Sequence, residues 1–140
     1  MKFDRSLFIG KFSTEAEEHL QKLNEGVLRL ERGGVDADPA TPGWQELMAE
    51  ILRAAHTLKG SKDINQVAHK LEDLLLEIKE GRLAATPAVC DLIFRSLDAI
   101  DASRQAVVDG REGEVSVDEI VGVLERAAQG EFCLLYTSPS

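Results

Sequence analysis

Apolar residues recurring every three or four positions, interrupted at intervals by glycine and proline, constrain this chain more than any other feature. From about Asp4 to Arg32 the repeat runs Leu7, Phe8, Phe12, Ala16, Leu20, Leu23, Val27 and Leu30, the spacing that stacks side chains on one face of an α-helix. Gly33-Gly34 ends it, because paired glycines relax the chain and admit a left-handed cap. Val35 to Gly43, with Pro39 and Pro42, reads as a loop, and a second helix is predicted from near Trp44, burying Leu47, Ile51, Leu52, Ala55 and Leu58. Asp63 is placed to cap a third helix, with Ile64, Val67, Ala68, Leu71, Leu74, Leu75 and Ile78 inward and Gly81 near its end. Thr86-Pro87 reads as an N-cap followed by proline at the first helical position. The fourth helix that follows carries Val89, Leu92, Ile93, Leu97, Ile100 and Val107 and stops near Gly110. Ser116-Val117-Asp118-Glu119 has capping-box spacing for a short fifth helix with Ile120, Val121, Leu124 and Ala127. No alternating strand of useful length interrupts this series. The fold class is therefore all-α, with four segments long enough to build a bundle and a short fifth.

A chain of 140 residues suits one domain with a single core. Aromatics make up only 5% of the sequence against 44% hydrophobic residues overall, so Leu, Val, Ile and Ala must fill that core. The net charge of −9 argues against nucleic acid as a partner, because neutralising its phosphates needs clustered Lys and Arg. It does not exclude a site for a single phosphoryl group, which one local Lys can serve. Cys90 and Cys133 form no Cys-x-x-Cys motif, and a helix-borne Cys90 reads as a small core hydrophobe. There is no signal-peptide pattern and no apolar run of ~20 residues, so the chain reads as cytosolic with no membrane span. Residues 1–130 are taken as the domain. Residues 131–140 lose both charge and helical period after Gly130, open on Glu131-Phe132, and read as a vector-derived tail.

The chemistry concentrates in Arg53-Ala54-Ala55-His56-Thr57-Leu58-Lys59-Gly60-Ser61 and in Ala68-His69-Lys70-Leu71-Glu72-Asp73. At about 100° per residue His56 lies nearly opposite Leu47, so it faces outward or along the bundle edge. Lys59 follows at i+3 on the same side, and Gly60 at i+4 leaves bare backbone beside the ring. Glycine inside a helix costs about 1 kcal/mol relative to alanine, and close approach of a partner or a phosphate is a sufficient reason for one there. His69 and Glu72 share a helix face at i,i+3, with Asn65 one turn earlier. An imidazole with a local cation, a side-chain-free patch and a carboxylate nearby suits acceptance and release of a phosphoryl group. His19, after Glu17-Glu18, reads as an exposed histidine in an acidic helix. No metal site is expected, since carboxylate-bridged di-metal bundles use Glu-x-x-His and neither His56 nor His69 has Glu three residues before it.

On these residues the chain resembles the histidine-containing phosphotransfer domain of CheA-type chemotaxis kinases. The matching text is Ala54 to Ser61, then Ile64 to Leu75, and the opening helix with Glu18-His19-Leu20 is similar too. The resemblance, over roughly residues 4–128, implies an up-down four-helix bundle with a short extra helix and His56 as the phosphorylated residue. It implies that Glu72 orients the imidazole, that Lys59 offsets incoming phosphoryl charge and that His69 supports the hydrogen-bond network. Gly60 and Ser61 fall where a partner would touch. The implied partners are a histidine kinase catalytic domain, which would hold the ATP that this domain does not bind, and a response-regulator receiver domain. Such a module is a relay rather than an enzyme on its own. The alternative function is a helical docking domain with the same fold that is never phosphorylated.

The chain departs from the family after Ser61, where about six residues, or roughly 9 Å of helix, are missing. Two arrangements follow. In one, the second helix ends at Lys59 and the chain reverses through Gly60-Ser61-Lys62 in a compact monomer. In the other, the second and third helices fuse into one kinked rod from Trp44 to Gly81. His56 and Glu72 would then meet only in a domain-swapped dimer.

Overall fold

The structure, a computed structural model, describes residues 5–33, 41–58 and 60–130, and side chains from Leu7 onward. Its elements are α1 (Arg5–Gly33), α2 (Pro42–Thr57), α3 (Lys62–Lys79), α4 (Pro87–Val108) and α5 (Asp118–Ala128). Helix α1 packs on α2 and α4, while α3 packs on α2, α4 and α5, which closes a four-helix ring with α5 laid outside it. Two long-range contacts fix neighbouring helices antiparallel. Gln45, at the start of α2, donates from Nε2 to the Lys79 carbonyl at the end of α3, at 3.3 Å. Arg104, near the end of α4, reaches Ser13 Oγ at 2.7 Å and Glu17 Oε1 at 3.1 Å in the first half of α1.

The predicted apolar faces form the core except at the start of α1, where Leu7 and Phe8 are exposed. Leu23 and Leu30 of α1, Met48 and Ile51 of α2, Ile64, Leu71, Leu74, Leu75 and Ile78 of α3, and Leu92, Ile93 and Ile100 of α4 are all buried. Cys90 is buried among them, and that burial pushes its thiol up to about 11. Arg104, which sequence alone would leave as a solvated charge, is buried and ion-paired to both Glu17 and Asp101. Among the described residues no helix is long and apolar enough to cross a membrane.

Helix boundaries depart from expectation in four places, each for a local reason. Helix α2 starts at Pro42 rather than Trp44, because Thr41 Oγ1 accepts the Trp44 N–H and proline occupies the first position. Helix α3 is capped by Ser61, whose Oγ accepts the Ile64 N–H at 3.3 Å; Asp63 instead sits in the first turn, where its charge favours the helix dipole. The Ser116 capping box does not form: α5 begins after Val117, which makes no side-chain cap bond and is anchored by burial. The fused second and third helix is also overturned. Helix α2 ends at Thr57, Leu58 turns its backbone to φ −68°, ψ 113° and buries its side chain, and α3 starts afresh at Lys62. The expectation for residues 131–140 lies outside the described residues.

Candidate functional site

His56 occupies the last turn of α2, and Glu72 the middle of α3. They meet within one chain: His56 Nδ1 lies 2.9 Å from Glu72 Oε1. No exchange of halves between chains is needed to make this contact. A carboxylate only accepts, so Nδ1 carries the hydrogen, and in the neutral ring Nε2 keeps its lone pair. The imidazole is 73% exposed while the Glu72 side chain is 32% exposed. The fixed carboxylate thus holds one ring nitrogen and leaves the other for chemistry in solvent.

The turn that produces this pairing is built from few residues. The Leu58 N–H donates to Ala55 O at 3.1 Å, and Thr57 Oγ1 donates to Ala54 O at 2.8 Å, closing the end of α2. Gly60 lies in the turn, not inside a helix as the spacing suggested. What approaches its bare face is the chain itself, since a Cβ built there would sit 2.8 Å from Phe12 Cζ and 3.2 Å from Ile64 Cδ1. Asn65 completes the turn: its Oδ1 accepts the Gly60 N–H at 3.1 Å, and its Nδ2 donates to Gly60 O at 3.3 Å. Ser61 is engaged as the α3 cap.

The other candidates fall as follows. Lys59 lies outside the described residues. His69 is exposed on α3, one turn before Glu72, and among the described residues it makes no hydrogen bond to the His56–Glu72 pair. His19 is where the sequence reading missed a contact. It is half-buried, and its Nδ1 lies 3.2 Å from Thr57 Oγ1, beside His56. The Thr57 hydroxyl gives its hydrogen to Ala54 O, so at His19 it accepts. The available signal was position: His19 lies three residues after Ala16 and four before Leu23, on the edge of the buried face of α1. His19 and Thr57 also line a groove of about 370 Å³ between α1 and α2, with Lys22, Arg29 and Arg53 along it. Among the described residues no cluster of three or more His, Cys, Asp or Glu could hold a metal ion.

A four-helix ring with an exposed histidine on one helix, oriented by a carboxylate on the next, defines a phosphotransfer-type bundle. Residues 8–106 match the Hpt domain, and the chain belongs to that family. It is similar to the solution structure of the histidine phosphotransfer domain of CheA, with a TM-score of 0.71, 26% identity, and coverage of 91% of this chain and 92% of that one. It is 32% identical over 128 residues to the chemotaxis protein CheA of Bacillus subtilis, covering 87% of this chain. With the chemotaxis protein CheA of Halobacterium salinarum it shares 36% over 124 residues, 84% of this chain. The chain spans only 18% and 17% of the length of those two relatives.

Proposed function

We propose that this chain is the phosphoacceptor and phosphodonor module of a chemotaxis-type two-component relay in the cytoplasm. The observation that carries this reading is the 2.9 Å contact between His56 Nδ1 and Glu72 on an otherwise exposed ring. The lone pair on Nε2 attacks the γ-phosphorus of ATP held by a histidine kinase catalytic domain. The N–P bond forms as the bond from phosphorus to the bridging oxygen breaks, and ADP leaves with that electron pair. The hydrogen stays on Nδ1, and Glu72 stabilises the positive charge that builds on the ring. An aspartate of a response-regulator receiver domain then attacks phosphorus, and the N–P electron pair returns to Nε2.

Lys59, three residues from His56, is assigned to the incoming phosphoryl charge, and His69, one turn before Glu72 on α3, to the surrounding hydrogen-bond network. Gly60 and Ser61, four and five residues after His56 in the chain, are assigned to partner contact, Gly60 being exposed. ATP is assigned to the kinase domain, so this module transfers the group without catalysing its own phosphorylation. Incubation with a CheA-type kinase core and labelled ATP tests the reading. Label should be acid-labile and base-stable, absent from His56→Gln and retained in His19→Gln. A folded wild-type chain that takes no label, or a His56→Gln chain that takes it fully, overturns the proposal.

A further inference from the structure

Asn65, His69 and Glu72 follow one another at i, i+4 and i+7 on α3, so they form a single stripe along that helix. The stripe touches the α2 end of the molecule at two points. At one, Glu72 holds the His56 ring. At the other, about 10 Å along the axis, Asn65 holds the Gly60 peptide. The second hold is complete in itself, because one side-chain amide satisfies both the N–H and the C=O of Gly60. Both groups belong to the connection between α2 and α3, outside either helix. Phe12 lies on the side where a side chain of Gly60 would project.

We infer that Asn65 is a positioning residue for the chemistry of His56. With so few residues between α2 and α3, this clasp joins the buried Leu58 and the Leu58 N–H to Ala55 O and Thr57 Oγ1 to Ala54 O bonds in fixing where α2 stops. His56 is only four residues upstream of Gly60. A turn that slips there tilts the last turn of α2 and moves Nδ1 away from a carboxylate fixed on α3. Asn65 therefore acts on the ring without touching it, by holding the chain that presents it. The inference deepens the phosphoacceptor reading and rests on it.

The test reads the ring directly and needs no kinase. In the chain labelled with ¹⁵N at histidine, two-bond ¹H–¹⁵N spectra report which nitrogen carries the hydrogen. Wild type should show His56 held as the Nδ1–H tautomer, and Asn65→Ala should move it toward the pattern of Glu72→Ala. Asn65→Asp, which keeps an acceptor for the Gly60 N–H but loses the donor to Gly60 O, should fall between and stands in if Asn65→Ala does not fold. Leu124→Ala, a core truncation on α5, should lower stability and leave the His56 pattern unchanged. Phosphorylation by the kinase core should slow about tenfold in Asn65→Ala, the lower end of what loss of an outer hydrogen-bond partner costs. A folded Asn65→Ala or Asn65→Asp with wild-type His56 spectra overturns the inference even if wild type is phosphorylated. Failure of wild type to accept label would instead strike the functional reading and leave the tautomer result standing.

Discussion

Gly60→Ala probes the packing that brings α1 to the functional turn. The substitution adds one methyl, and the geometry says where it goes: 2.8 Å from Phe12 Cζ and 3.2 Å from Ile64 Cδ1, with Cε2 of the same ring closer still. Carbon atoms prefer about 3.5–4.0 Å, so the ring must retreat by most of an ångström or more. Gly60 is not among the glycines with positive φ, so backbone strain does not enter. Overpacking of this kind costs about 1–3 kcal/mol, and restricting the unfolded chain returns about 0.4–1 kcal/mol. The net loss should be about 1–2 kcal/mol, seen as a lower urea midpoint with unchanged slope by circular dichroism. Phe12→Ala alone should also destabilise, because the ring packs against the core. In the double variant the methyl no longer strikes the ring and meets only Ile64 Cδ1, so the two losses should fall short of additive by about 1–2 kcal/mol. Additive losses, or no loss from Gly60→Ala alone, would refute the claim that Phe12 and Gly60 are in contact.

Three other expectations concern single side chains. Glu72→Ala should slow phosphorylation of His56 by about ten- to a hundredfold in single-turnover labelling, with Glu72→Gln less affected because its amide oxygen can still accept from Nδ1; an unchanged rate in Glu72→Ala counts against the pairing. Ser61→Ala should lower stability by about 1 kcal/mol through loss of the α3 cap, and Ser61→Asp should restore it in the same denaturation assay. Cys90 should react with a thiol reagent only after unfolding. Its folded thiol holds its proton to about 11 against an ordinary 9.0, so between those values the unfolded chain binds fewer protons. Stability should therefore be intact below pH 9 and fall as pH rises toward 11, with that part of the slope absent in Cys90→Ala.

Local signals carried much of the fold. The apolar period marked every helix, and Thr86-Pro87 marked the start of α4, with Thr86 Oγ1 accepting the Val89 N–H at 3.2 Å. What failed was decided by tertiary burial. Ser116 had the capping chemistry, but the burial of Val117 set the start of α5. The His56–Glu72 pair was legible as residue types, yet the short turn left open whether one chain could join them. The burial of Leu58 followed from the apolar period, but its extended backbone and the clasp of Asn65 on Gly60, which resolve that, do not show in periodicity. The contacts of His19 with Thr57 and of Gly60 with Phe12 span 38 positions and more, beyond the reach of any local pattern.

The placement of α3 against three other helices sets a hierarchy of motion at the site. Its amides should be among the last to exchange with solvent deuterium, since opening them requires loss of most of the core. The last turn of α2, at a helix end with an exposed ring, belongs to the units that open at much lower free energy. Glu72 should thus sit on a slowly exchanging helix and His56 on a helix end that opens more readily. Fraying of a single turn can free the imidazole to follow a departing partner and then return it to a carboxylate that has not moved.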